Sequence, residues 1–157
     1  MAHISNDVRI RAVASDYPVK RAPSDYDNWG EMAPESKAME ILRWTIELRV
    51  DGDYVEVGNL SAHPVWYGPT LGSKAMNIGI ALLEEFRNQG IGSIAQNLLA
   101  QELHSKGFTR VEASTDVTNI AEQRALKKAG FTYEGTLRKA QGRADGIHDL
   151  QVWSHIS

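Results

Sequence analysis

The feature that most narrows the fold is the turn Arg87-Asn88-Gln89-Gly90-Ile91-Gly92-Ser93, set between an apolar strand and a long helix. Before it, residues 76–83 are apolar at nearly every position, the pattern of a central strand covered on both faces. After it, Ile91, Ile94, Ala95, Leu98, Leu99 and Leu103 repeat with a helical period as far as Lys106, and Gly107 supplies a C-terminal cap. A helix N-terminus presents unpaired N–H groups and the positive end of the dipole, which suits a phosphate. Glycines at the entry allow tight dihedrals and let a ligand approach the backbone. The same glycines also serve a plain strand-to-helix turn, so the motif alone leaves both readings open.

Two nucleotide readings compete for this turn. A P-loop needs a lysine directly after its last glycine, and none follows here. A nicotinamide dinucleotide fingerprint is satisfied formally by Gly90-x-Gly92-x-x-Ala95, with Glu112 about 20 residues further on in the place of the ribose-binding acid. Its context is wrong, because such a unit continues through further βαβ repeats and this chain has hairpins on both sides. Glu112 also falls inside a strand rather than at its end.

The rest of the chain supplies that context. Residues 8–13 alternate as a first strand, and residues 14–40, broken by Pro18, Pro23 and Pro34, read as a loop with short helical turns. Residues 42–50 alternate cleanly, Asp51-Gly52 marks a tight turn, and residues 54–60 return as the hairpin partner. A Pro- and Gly-rich loop covers 64–73. Residues 110–115 form a further strand, and 119–129 a second helix with Asn119 at its N-cap, Glu122 completing a capping box, and Gly130 at its end. Residues 131–140 and 148–156 close the chain as paired strands, joined by a turn containing Gly142 and Gly146. The expected fold is α/β: one domain over residues 1–157, a mixed sheet of about six or seven strands with helices on both faces.

Composition removes several function classes. The formal charge of −3 gives no nucleic-acid footprint. The absence of cysteine excludes disulfides, zinc–thiolate sites and a thiol nucleophile, and agrees with a reducing cytoplasm. No apolar run approaches a membrane span, and residues 1–11 carry charges without a signal-peptide core.

Arg87-x-x-Gly90-x-Gly92 after such a strand resembles the acetyl-CoA signature of the GNAT superfamily of N-acetyltransferases. Downstream, residues 119–131 (NIAEQRALKKAGF), Glu134-Gly135-Thr136-Leu137-Arg138, and residues 142–149 are similar to the RimJ/RimL-type, ribosomal-protein alanine acetyltransferase branch. The likeness covers residue 76 to the C-terminus; before it only the strand order and Val57-Gly58-Asn59-Leu60 agree. The resemblance implies acetyl-CoA as co-substrate, no metal, and transfer to an amine on a protein N-terminus or a small molecule. It also implies that the CoA pyrophosphate lies on the amides of Gln89, Gly90, Ile91, Gly92 and Ser93, with the Ser93 hydroxyl as an addition. Asn88 lies within the same turn, and Arg87 is either a phosphate neutraliser or a solvated arginine. Backbone groups of Leu82 and Leu83 are implied to pair with pantetheine, and Asn119 to contact the cofactor. Family habit, with an apolar last strand carrying Trp153 and Ile156, implies a homodimer.

The catalytic groups are less defined. Direct attack of a neutral amine on the thioester needs positioning, a proton acceptor and an oxyanion donor, and no covalent intermediate. Where relatives keep a glutamate base this chain has Asn77, where they keep a tyrosine acid it has Leu126, and where the branch often has serine it has Glu122. Tyr133, His148, Glu122, His63 or a water relay are left as substitutes, and a catalytically silent acyl-CoA-binding module stays open as the alternative.

Overall fold

A computed structural model describes residues 6–24, 26, 28–35 and 40–157. Seven strands form one sheet in the order β1-β2-β3-β4-β5-β7-β6. They are β1 (Val8–Val13), β2 (Leu42–Val50), β3 (Asp53–Trp66), β4 (Lys74–Leu82), β5 (Arg110–Asp116), β6 (Thr132–Arg143) and β7 (Gly146–Ile156), with α1 (Ile91–Ser105) and α2 (Ile120–Lys128) on either side of β5 in the chain. Every neighbouring pair is antiparallel except β4 and β5, which are joined through α1 and run parallel. Part of the segment expected as an N-terminal loop, and residues 1–5, lie outside the described residues.

Most elements follow from local chemistry. Asp51 and Gly52 both take positive φ, 53° and 87°, as a two-residue hairpin turn requires. Ile91, Ala95, Leu99 and Leu103, one per turn of α1, are fully buried and face the sheet. β3 runs further than its pattern suggested, through Pro64 to Trp66. Proline is tolerated there because β2 ends opposite Ala62, so β3 beyond that point has only β4 as a neighbour. The closing hairpin also begins later, with β6 reaching Arg143. Gly142 lies inside β6, and the turn proper ends at Gly146 (φ 134°).

The two faces of the sheet differ sharply. Trp44, Ile46, Leu60, Met76, Ile78, Val111 and Ala113 share one face and form the core with both α-helices. α1 and α2 lie side by side there, joined by Asn97 Nδ2 to Ala129 O at 2.9 Å and Gln96 Nε2 to Glu122 Oε1 at 2.9 Å. The other face is polar. Arg9 and Arg11 donate to Glu47, and Asn77 donates to Ser114. Among the described residues that face is crossed by the irregular segment after β1, which bonds in turn to Arg43, Glu56, Arg87 and Arg143.

β7 lies between β5 and β6; Trp153 is buried in the core, while Ile147 and Ile156 on the same strand are exposed. The two edges of the sheet are β1 and β6.

Candidate functional site

The central pair of strands is split. β4 and β5 pair only at Met76–Val111, Asn77–Glu112 and Ile78–Ala113, although β4 continues to Leu82 and β5 to Asp116. Over those further residues β4 stays bonded to β3 and β5 to β7. The edges that part are therefore the inner ones, and their backbone groups border a gap that widens toward the start of α1.

The glycine turn closes the wide end of that gap. After Leu83 the chain makes a 3-10 turn (Glu84–Phe86), passes Asn88 at φ 61° and Gly90 at φ 85°, and enters α1. The left-handed conformation at Gly90 is one that a side chain would strain. The first intrahelical bond runs from Ile94 N to Gly90 O at 3.3 Å, so the amides of Ile91, Gly92 and Ser93 precede it at the positive end of the helix. A Cβ on Gly92 would lie 3.5 Å from Leu82 Cδ1 and 3.7 Å from Ile80 Cδ1, which puts this residue against the end of β4.

Several side chains expected in this site are already engaged. The Ser93 hydroxyl donates to Gly90 O at 3.0 Å and the residue is buried, which leaves its amide as what it can offer a ligand. Arg87 donates to Leu82 O at 3.2 Å and to Pro23 O at 3.3 Å, fastening the polar-face segment to the turn. Leu83 N donates to Val57 O at 2.9 Å, so of the two expected pantetheine partners its N–H is taken within the sheet. The Gln89 side chain folds back onto Glu85 O.

Asn119 caps α2 as expected, its Oδ1 accepting from Glu122 N at 3.2 Å. The return arm of the capping box does not form. Asn119 N donates to Asp116 O instead, and the Glu122 carboxylate accepts from Gln96, whose amide also donates to Gly92 O at 3.2 Å. The glycine turn and the cap of α2 are thus tied by one chain of bonds. Burial between the helices pushes the Glu122 carboxyl up to about 7, against the opposing effect of the Gln96 bond.

Of the other candidates, Tyr133 lies on β6, separated from the split by β5 and β7. Its hydroxyl is paired with Thr136 Oγ1 and its ring meets Trp153 edge-on. Leu126 is fully buried core. Asn77 and Ser114 bridge β4 and β5 on the polar face at the point where they part, with His63 opposite Asn77 in the register. Burial holds the His63 imidazole below its ordinary value, with Glu112 acting in the opposite direction. His148, on β7, has both ring nitrogens on carboxylates, Nδ1 on Asp116 and Nε2 on Asp145 at 2.6 Å. Sequence reasoning passed over Asp116. Its local signal was Thr118 two residues on, whose N–H and hydroxyl both bond Asp116 Oδ1 in a tight turn.

The larger cavity, about 990 Å³, opens at the opposite ends of β4 and β5, beside Lys74, Lys106 and Arg110. A smaller one of about 230 Å³ lies beside His148. Among the described residues no cluster of His, Asp and Glu is arranged to hold a metal ion. No described helix is long and apolar enough to cross a membrane.

The parallel pair thus splits and opens onto a glycine-led helix N-terminus. The chain matches the family profile described as acetyltransferase (GNAT) domain over residues 2–132, and it belongs to that family. Among solved structures it is similar to a RimL ribosomal L7/L12 alpha-N-protein acetyltransferase in complex with coenzyme A. There the identity is 24% and the TM-score 0.62, covering 78% of this chain and 64% of that one. A Microcin C7 self-immunity acetyltransferase, MccE, in complex with acetyl-CoA and AMP shares 25% identity with TM-score 0.60, covering 78% and 63%. RimJ of Mycobacterium smegmatis in complex with CoA-disulfide shares 23% with TM-score 0.61, covering 74% and 53%. This chain therefore spans less than two thirds of the length of these three. Among curated proteins no sequence matches it.

Proposed function

We propose that this domain transfers an acetyl group from acetyl-CoA to a primary amine, by direct attack in a ternary complex. The observation that carries the reading is the gap between β4 and β5, opening onto the unpaired amides of α1. An extended pantetheine completes the ladder that residues 79–82 leave open, and its pyrophosphate meets the amides of residues 89–93. Asn119, tied to Gly92 through Glu122 and Gln96, borders the same ligand. The side chains of Arg87, Asn88 and Gln89 shape the turn, and the backbone of Leu82 and Leu83 forms its approach. The solved neighbours that hold CoA or acetyl-CoA support the choice of ligand.

The experiment is calorimetric titration with acetyl-CoA of the parent and of Gly92→Val. A Cβ at residue 92 makes only ordinary contacts with Leu82 and Ile80, so the variant is expected to fold. Its branches enter the path of the ligand, and affinity is expected to fall by about 100-fold, on the order of 3 kcal/mol. Undiminished affinity in a folded variant removes the site. A turnover assay over an amine panel, from peptide N-termini to polyamines, then separates the enzyme from a silent acyl-CoA-binding module. That second reading is favoured only by Asn77 and Leu126, which carry no ionisable group.

We further infer a homodimer in the cytoplasm. The support for assembly is the open outer edge of β6, with Leu137 half exposed beside it. Sedimentation is expected to show a dimer, and a monomer at every working concentration counts against it. The absence of cysteine supports the compartment.

A further inference from the structure

The polar face carries a second constellation, at the far end of β5 from the core contacts of the split. Asp116 ends β5 and is 1% exposed. One of its oxygens is held by Thr118 N at 2.9 Å and Thr118 Oγ1 at 2.8 Å. The other faces His148 Nδ1 and, at 3.5 Å, Arg143 Nε. A carboxylate fixed in this way makes Nδ1 the protonated nitrogen and leaves Nε2 as the one that can exchange a proton. Nε2 points to Asp145, whose side chain is 76% exposed on the hairpin turn beside Gly146. The inner carboxylate is locked and the outer one is free to leave.

A cavity of about 230 Å³ opens at this point, lined by Tyr26, Asn28, Thr118, Arg143, Asp145 and His148. Its roof is the segment after β1, clipped to the hairpin by Arg143 Nη1 on Tyr26 O and by Ala144 N on Asn28 O at 3.2 Å, with the guanidinium 4.3 Å from the Trp29 ring. Asp116 lies three residues before Asn119, so the cavity is next to the cap that borders the proposed cofactor gap. The wall holds one locked imidazole, the exposed Asp145 carboxylate, the Tyr26 ring and the Arg143 guanidinium. Buried Asp116, 3.5 Å from Arg143 Nε, offsets that cation, and the Asp145 carboxylate suits a cationic amine.

We propose that this cavity receives the acceptor's ammonium group, that Asp145 leaves Nε2 to bind it, and that His148, oriented by Asp116, takes its proton. The inference rests on the transferase reading above. The amine arrives as R–NH3⁺ and gives one proton to Nε2. The freed lone pair forms the N–C bond to the thioester carbonyl, whose π electrons move to oxygen. The oxyanion then collapses, the C–S bond breaks, and the departing thiolate takes a second proton from nitrogen. The products are the amide and CoA–SH, and the proton on His148 returns to solvent past Asp145. Cavity size confines the acceptor to a small head next to its amine, with the remainder of the molecule outside the hairpin.

The groups facing the imidazole are Asp116 from β5 and Asp145 from the turn, with Arg143, 3.5 Å from the same Asp116 oxygen, and Tyr26 lining the cavity beside it. The two carboxylates raise its pKa above the usual histidine value, Asp145 contributing most among them. The base form is therefore gained only as pH rises through that raised value, and removing Asp145 lowers it.

The test measures kcat/KM against pH with the best amine of the panel, together with acetyl-CoA affinity and thermal melting. His148→Ala and His148→Gln are expected to lose about 10²–10⁴-fold in turnover while binding acetyl-CoA as the parent does. Asp145→Asn is expected to move the acidic limb of the profile to lower pH; the amine's own ionisation cannot, being common to both proteins. Folded His148 variants that keep more than a tenth of the parent turnover overturn this inference alone, as does an unmoved limb in Asp145→Asn. A parent that binds acetyl-CoA but acetylates no amine overturns the transferase reading, and this inference with it.

Discussion

Gly58→Ala is expected to be the most damaging single methyl group in the sheet. Gly58 sits in β3 opposite both Ile46 of β2 and Leu82 of β4. A Cβ built there lies 2.4 Å from Ala81 O, 2.9 Å from Leu82 Cδ2 and 3.1 Å from Leu82 Cα. Two of those atoms are backbone, so relief requires β3 and β4 to separate rather than a side chain to rotate. Overpacking of this kind costs about 3 kcal/mol or more, which for a chain of this size lowers Tm by about 6–12 °C. The strand displaced is the one that ends at Leu82 and leads into the glycine turn, so acetyl-CoA affinity should fall with it. Gly135→Ala is the control, because a Cβ there meets no atom within 4 Å. Equal melting of the two variants would refute the close approach of β3 and β4.

Glu122→Gln is expected to act in the opposite direction, and only above acid pH. The Glu122 carboxyl is raised from its model-peptide value of 4.5 to about 7, chiefly by burial. Below about pH 4 the carboxyl is protonated in folded and unfolded chains alike and carries no penalty. Between about 4.5 and 7 the unfolded chain releases the proton first, so the folded state holds more protons and stability falls as pH rises. Above pH 7 both are ionised and the loss is complete, about 3 kcal/mol for a rise from 4.5 to about 7. Glutamine keeps the acceptor for Gln96 Nε2 without the charge. The variant should therefore match the parent at pH 4 and melt about 6–12 °C higher at pH 8. A difference independent of pH would mean that this carboxyl does not titrate between the helices.

These two sites mark where sequence stops being informative. The helix after Gly90, the alternation of β2 and the Asp51-Gly52 turn are set by neighbours in the chain, and all three were legible. So was the strand–glycine–helix unit that borders the gap. Which distant side chain arrives at a given atom is not a local property. Glu122 has the spacing of a capping box, but Gln96, 26 residues earlier, takes its carboxylate. Asp116 meets His148 across 32 residues, and Arg143 meets Tyr26 across 117. Pro64 misled for a related reason. Proline ends a strand only when both edges must pair, and the end of β2 is invisible in the residues of β3.

The three residue pairs that join β4 to β5 make the sheet a book with a short spine. One leaf is β1 to β4, the other β5, β7 and β6, and each is paired strand to strand within itself, interrupted only by irregularities in β2–β3 and β6–β7. Past Ile78 and Ala113 no backbone pair among the described residues joins the leaves along their facing margins. An extended molecule lodged there becomes a missing page, bonded to margins that would otherwise face water. Binding and binding-induced stiffening are then the same event. A ligand bound there as proposed would supply part of the continuity that other sheets obtain from their own backbone.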